Sequence, residues 1–153
     1  MARMVLMVIG DDRAGLVDAL SGVIADQDGK WEESHMAELS GKFAGVVLIT
    51  VPDRNIDALT SALQPLREQG LLEITAERAS EGVPAAALTR MALHFEGLDQ
   101  PGIVRDVSHA LAELGVSIEA LETTTLSAPM SGETLFIADG VIALPVGADA
   151  DTV

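Results

Sequence analysis

Two short stretches of this sequence place a carboxylate three residues ahead of a glycine. They are Gly10-Asp11-Asp12-Arg13-Ala14-Gly15-Leu16-Val17 and Gly97-Leu98-Asp99-Gln100-Pro101-Gly102-Ile103-Val104. The second repeats the first at an offset of 87, with Gly, Asp, Gly, an apolar residue and Val in register. Each follows an apolar run and opens a helical pattern. A glycine at such a turn lets the backbone approach a ligand without a Cβ in the way. The first N–H groups of the helix lie unpaired at the positive end of its dipole, where a ligand carboxylate is stabilised. Asp12 or Asp99 can accept hydrogen bonds from a ligand ammonium, and Arg13, Ala14, Leu16, Gln100, Pro101 and Ile103 complete the two loops. A plainer role is open to the same residues. Each Asp can cap its helix, a contribution of about 1 kcal/mol, and each Gly can simply shape a turn. The two roles are compatible.

Other chemistries find little support. The chain has no cysteine, which excludes disulfides, zinc–thiolate sites and thiol nucleophiles and is compatible with a reducing cytoplasm. His35, His94 and His109 have no metal-ligand spacing. Ser34 and His35 are neighbours on a strand-like stretch, so they face opposite ways and do not form a catalytic pair. Asp11-Asp12, Glu32-Glu33 and the pair Asp149 and Asp151 lack calcium-loop spacing and read as solvated surface. The Gly97-to-Gly102 run lacks the dinucleotide fingerprint. No motif calls for a cofactor. A formal net charge of −15, from 24 acidic against 9 basic residues, argues against direct nucleic-acid binding, which needs a basic footprint. It suits a partner with a basic face. The opening apolar run, Met4 to Ile9, is followed at once by Asp11-Asp12-Arg13 and is too short for a signal or membrane segment.

The elements around the two loops also repeat. The chain has 153 residues, 48% of them hydrophobic, enough for two small cores of about 75 residues each. Apolar strands are expected at Met4–Ile9 and Arg90–Phe95. The helices that follow carry stripes at Leu16, Leu20, Val23 and Ile24, and at Ile103, Val107, Leu111 and Leu114. Gly29 and Gly115 stop them. Two strands follow in each copy, near Lys30–Leu39 and Phe43–Val51, then near Val116–Leu126 and Glu133–Leu144. Phe43–Val51 is apolar almost throughout, as a central strand should be. The first copy continues with a turn at Pro52-Asp53-Arg54-Asn55 and a helix striped by Ile56, Leu59 and Leu63. Pro65 is expected to end that helix. Leu72, Ile74 and Ala76 then alternate with Glu73, Thr75 and Glu77 in a half-wet strand. The order β-α-β-β-α-β closes naturally as a four-stranded antiparallel sheet with both helices on one face, a ferredoxin-like α+β unit. After Pro145 only eight residues remain, too few for a second helix and closing strand. The expected organisation is therefore a first unit over 1–78, a small-residue linker over 79–88, and a second unit over 89–153 that lacks its last helix and strand. The strand Arg90–Phe95 would then have an open edge. RNA-recognition and heavy-metal modules of similar architecture are disfavoured, because aromatics total 3% and there is no cysteine pair.

A strand followed by Asp-x-x-Gly-apolar-Val, a helix and β-β-α-β resembles the ACT domain, a regulatory module that binds amino acids. Two tandem copies, together with Gly29-Lys30-Trp31-Glu32-Glu33-Ser34-His35-Met36-Ala37-Glu38-Leu39-Ser40-Gly41-Lys42-Phe43-Ala44, resemble the glycine cleavage system transcriptional repressor family over about residues 4 to 145. The resemblance implies a cytoplasmic, non-enzymatic bacterial regulator. It would sense glycine or a similar small amino acid and act on a protein partner such as a transcription factor rather than on DNA. It also implies that ligand lies where the strand–helix loop meets a neighbouring unit's second strand, which adds Lys30, Trp31 and Ser117 as site candidates. Packing is the competing role for Trp31. The alternative is a regulatory ACT module associated with an amino-acid or folate-linked enzyme. Self-association, most simply as a homodimer, is expected because one face of each sheet carries no helices and Phe43–Val51 and Glu133–Leu144 are too apolar to leave bare; the alternative is cover within the chain, with the first unit's closing strand on the open edge.

Overall fold

The computed structural model describes residues 1–80, 88–127, 132–145 and 147. The chain divides into two compact units, Met1–Ser80 and Glu81–Val153. In the first, β1 (Ala2–Asp11), α1 (Leu16–Asp26), β2 (Lys30–Leu39), β3 (Lys42–Val51), a 3-10 turn (Asp53–Asn55), α2 (Ile56–Glu68) and β4 (Glu73–Arg78) follow one another. The sheet order is β2-β3-β1-β4, with every neighbouring pair antiparallel. This is the ferredoxin-like closure.

Alternation explains it. Ala2, Met4, Leu6 and Val8 of β1 and Val47, Ile49 and Val51 of β3 are buried. They meet Leu16, Leu20 and Ile24 of α1, Leu59, Leu63 and Leu66 of α2, and Ile74 of β4 in one core. Each such side chain contributes about 1.5–3 kcal/mol when taken out of water. The helix over Leu59 and Leu63 does not end before Pro65, as the sequence suggested; α2 runs on to Glu68 with Pro65 inside it. The N–H that Pro65 lacks would have bonded the carbonyl of Ser61. Both residues are exposed, so water reaches that carbonyl, while Leu66 is carried into the core. Burial of Leu66, about 1.5–3 kcal/mol, offsets much of the proline penalty.

The second unit comprises β5 (Thr89–Leu98), α3 (Ile103–Glu113), β6 (Ser117–Ser127) and β7 (Thr134–Leu144). Its sheet order is β5-β7-β6. Among the described residues no second helix or closing strand completes it, and β5 is an edge of its sheet. Its core is correspondingly thin: Leu111, Val116, Ile142 and Leu144 are buried, with Met91, Leu93, Val107 and Ile118 packed on them. Leu114 is a correction to the expected stripe. It caps α3 rather than continuing it and is 42% exposed, because the chain turns away one residue earlier than the 3.6-residue period would need. Phe95 and Phe136 stack with centroids 5.9 Å apart.

Both units carry an irregularity at the same point of their second strands. The register shifts between Trp31 and Glu33 and between Ile118 and Ala120, leaving Glu32 and Glu119 as the unpaired residues of a β-bulge. Glu32 accepts a 3.0 Å hydrogen bond from Thr50 Oγ1. Glu119 is gripped from β5 by Arg90, at 2.7 Å and 3.1 Å. Most of the expected linker 79–88, the middle of the loop after Ser127, and the acidic residues Asp149 and Asp151 lie outside the described residues.

Candidate functional site

The two glycine-bearing loops are built alike. α1 begins after Gly15 at φ 90°, and α3 begins after Gly102 at φ 89°. Both glycines, and neither Asp, are the N-caps, and neither helix receives a side-chain cap. Asp12 and Asp99 sit three residues too early to reach the first helical N–H groups, so the capping role weighed for them is corrected. Each instead ties its loop through its backbone. Asp12 N–H donates to Gly41 O at 2.9 Å, and Asp99 N–H donates to Thr134 O at 2.9 Å. The carboxylates are left exposed.

The remaining loop residues divide by exposure. Arg13, Ala14, Gln100 and Pro101 are exposed, and Ile103 is half-buried. Leu16 is buried in the first core, so its side chain serves packing. A Cβ on Gly15 would meet nothing within 4 Å, and one on Gly102 would meet only the flexible Arg105 guanidinium. The requirement for glycine at these positions is therefore the left-handed backbone rather than space.

The second-strand candidates lie elsewhere. Lys30 pairs with Thr50, which pairs with Arg3 at the start of β1. Asp12 follows the opposite end of β1, about eight residues or roughly 27 Å along the strand. Ser117 pairs with Ala143, which pairs with Arg90, so it too is remote from Asp99. Within one unit the structure does not bring these groups together. Lys30 is exposed beside Glu32 at 3.9 Å. Trp31 packs against the core and donates from Nε1 to Ser34 Oγ at 3.1 Å, an intramolecular packing role.

What does gather at the loop end of the first unit was not foreseen as a site. Ile9, Gly10, Asp11, Lys42, Arg67, Gly70, Leu71, Leu72 and Glu73 line a cavity of about 390 Å³. Lys42 pairs with Asp11 and holds the Asp11 carboxyl below its ordinary value, by hydrogen bond first and charge second. Arg67 Nε lies buried in the cavity wall with no hydrogen-bond partner among the described residues. The sequence signal was slight, because no local pattern encodes the approach of the α2–β4 turn to β1. On the second sheet, His94 lies between Asp139 at 2.5 Å and Glu96 at 3.3 Å. These carboxylates, Asp139 foremost, raise its pKa above 6.5. Among the described residues no group of three or more His, Cys, Asp or Glu is placed to hold a metal ion, and no helix is long and apolar enough to cross a membrane.

Comparison with known proteins agrees with this architecture. A crystal structure of a protein of unknown function from Galdieria sulphuraria is similar at 35% identity and TM-score 0.82, over 94% of this chain and 82% of that one. A protein described as a candidate glycine cleavage system transcriptional repressor shares the fold at 19% identity and TM-score 0.69, over 99% of this chain and 85% of that one. No curated protein matches the sequence. The ACT domain model matches residues 2–77, from the start of β1 into β4 of the first unit, and the second unit repeats its strand–glycine–helix turn. The chain is an ACT-domain protein with two ACT-type units in tandem.

Proposed function

We propose that this protein is a non-enzymatic, amino-acid-sensing regulator of the glycine cleavage system transcriptional repressor type. The observation that carries the reading is the ACT match over residues 2–77 together with a second, identically built strand–glycine–helix turn at Gly102. ACT domains are regulatory modules. The resemblance to a candidate repressor favours control of transcription over attachment to an enzyme. The ligand is glycine or a similarly small amino acid, and the exposed loop residues around Gly15 and Gly102 are its candidate contacts. Lys30, Trp31 and Ser117 take part only if a neighbouring unit or chain presents them.

The signal passes to a protein partner, a transcription factor, in the cytoplasm. Ligand that binds one arrangement of the protein better than another shifts the population toward it, and the partner reads that state. With a net charge of −15, the protein alone does not hold duplex DNA. Calorimetry against the common amino acids tests the reading, and binding of at least one is expected. Failure of all of them removes the sensor role. Co-purification of a metabolic enzyme in place of a transcription factor favours the alternative of an enzyme-associated module. A salt-dependent gel shift by the protein alone overturns the exclusion of DNA.

A further inference from the structure

The second unit repeats the framework of the first without the element that closes it. Met91, Leu93, Phe95 and Gly97 of β5 stand where Met4, Leu6, Val8 and Gly10 stand in β1, at the same offset of 87. In the first unit α2 and β4 complete the cover, and Met4, Leu6 and Val8 are buried. In the second, Met91, Leu93 and Phe95 are only half-buried, with α3 as the one helix of that unit among the described residues. The strand edge is open at the same place. Asp99 N–H donates to Thr134 O, so alternate residues of β5, from Met91 to Gly97, bond to β7. Ala92, His94 and Glu96 therefore turn their backbone N–H and C=O groups to the free side. The equivalent groups of β1 face β4, where Ala79 N–H donates to Arg3 O.

Gly97 is an independent sign of what fits there. Gly10 has to be glycine, because a Cβ would stand 2.5 Å from Leu71 O in the α2–β4 turn. Gly97 has no left-handed φ to require a glycine, and a Cβ there would meet only Ile103 Cδ1, at 3.4 Å. The space that a backbone carbonyl takes beside Gly10 is open beside Gly97. We propose that β5 and its half-covered apolar row receive a helix–turn–strand segment of a protein partner, held as α2 and β4 are held on β1. A second copy of the chain does not supply it, because the single α2–β4 element among the described residues already closes the first unit. Charge narrows the segment. Residues 88–145 carry eight acidic against two basic residues. In the β1–β4 register Ile9 opposes Glu73, and the counterpart of Ile9 on β5 is Glu96. An acid opposite Glu96 is repelled, whereas Lys or Arg is paired. The segment therefore has an apolar-striped helix, a turn whose backbone passes Gly97, and a strand that is apolar toward the helix side and basic on the other. The inference deepens the reading of a regulator that signals through a protein partner, and rests on it only for the existence of that partner.

The probe is a synthetic peptide of residues 52–80 of this chain, which spans α2 and β4. Fluorescence anisotropy of the labelled peptide, titrated with the full chain, is expected to show one-to-one binding. The same peptide carrying Glu73→Lys and Glu77→Lys should bind more tightly, with a gain that shrinks as salt is added. Two variants of the full chain locate the site. Ala92→Pro removes one N–H from the free edge and leaves the bonds to β7 in place. Gly97→Ala puts a methyl where the turn would pass. Both should melt close to wild type, and each should weaken the peptide about tenfold or more; if one fails to fold, the other decides. No binding of either peptide overturns the proposal. Undiminished binding to a folded variant also overturns it, because the peptide would then be exchanging with α2 and β4 of the first unit. Equal affinity of the two peptides overturns the basic character assigned to the segment. A dimer that Ala92→Pro converts to monomer gives the edge to a second copy and overturns the partner. Amino-acid calorimetry tests the sensor reading separately, so these failures leave that reading standing.

Discussion

Gly15 and Gly102 hold the same left-handed backbone, at φ 90° and 89°, each as the residue from which its unit's first helix departs. No side chain caps either helix, so the turn itself sets where the helix starts. A left-handed conformation costs a non-glycine residue about 1–2 kcal/mol. Gly15→Ala is therefore expected to lower unfolding stability by about that amount, although the added methyl meets nothing within 4 Å. Gly15→Asn should cost less, because Asn tolerates this region. Urea denaturation of both variants measures the difference, and equal losses for Ala and Asn would point to a contact rather than to the backbone.

The Gly-x-Asp-x-x-Gly repeat was legible because each residue in it answers a local demand. The apolar runs Met4–Ile9 and Phe43–Val51 were likewise legible as strands, the second as a central one, without tertiary information. Three features were not legible. Asp12 resembles an N-cap by type, yet the cap position falls on Gly15, a choice made by backbone φ. Pro65 reads as a helix stop, yet the lost hydrogen bond falls on the wet side of α2 and the burial of Leu66 offsets much of the cost. The cavity beside Arg67 arises from the packing of the α2–β4 turn against Gly10, residues 60 apart in sequence, which no local pattern encodes.

Pro65 gives a direct measure of that compromise. Proline inside a helix is about 3 kcal/mol worse than alanine, and here the site is exposed and the helix continues through it. Pro65→Ala is expected to raise stability by about 1–3 kcal/mol, the lower end applying if the backbone has already relaxed around the ring. Thermal and urea unfolding read this out. A loss of stability would mean that Pro65 sets the geometry of the following turn at Gly70.

His94 is a second measurable site. It faces Asp139 across the β5–β7 ladder at 2.5 Å and Glu96 along its own strand at 3.3 Å, and these raise its pKa above 6.5. A group whose pKa is raised by folding stabilises the fold when protonated. That contribution is fully present below 6.5 and is lost as the pH rises through the folded-state value. NMR titration of the His94 ring should give a midpoint above 6.5, and Asp139→Asn should move it down. An unmoved midpoint would assign the shift to Glu96 or to the acidity of the chain as a whole.

Self-association is the expectation that the outer face of the first sheet raises. Strand pairing puts Ile9 opposite Ala44, Met7 opposite Val46 and Val5 opposite Leu48, all on the side away from the helices. Ile9 is 51% and Val46 43% exposed. A contiguous apolar strip of this kind marks a contact surface more often than bare solvent-facing sheet. A homodimer formed by two such faces would be symmetric, each copy presenting the same strip to the other. Light scattering over a concentration series is expected to give a dimer mass. Val46→Glu places a charge in the centre of the strip. In a monomer that side chain is solvated and costs within about 0.5 kcal/mol; in the dimer it is buried without a partner and should shift the mass to monomer while the melting of the monomer stays nearly unchanged. A monomer mass for wild type at the highest concentrations, or a dimer that survives Val46→Glu, would move the interface off this face, with the open edge of β5 as the next surface to alter.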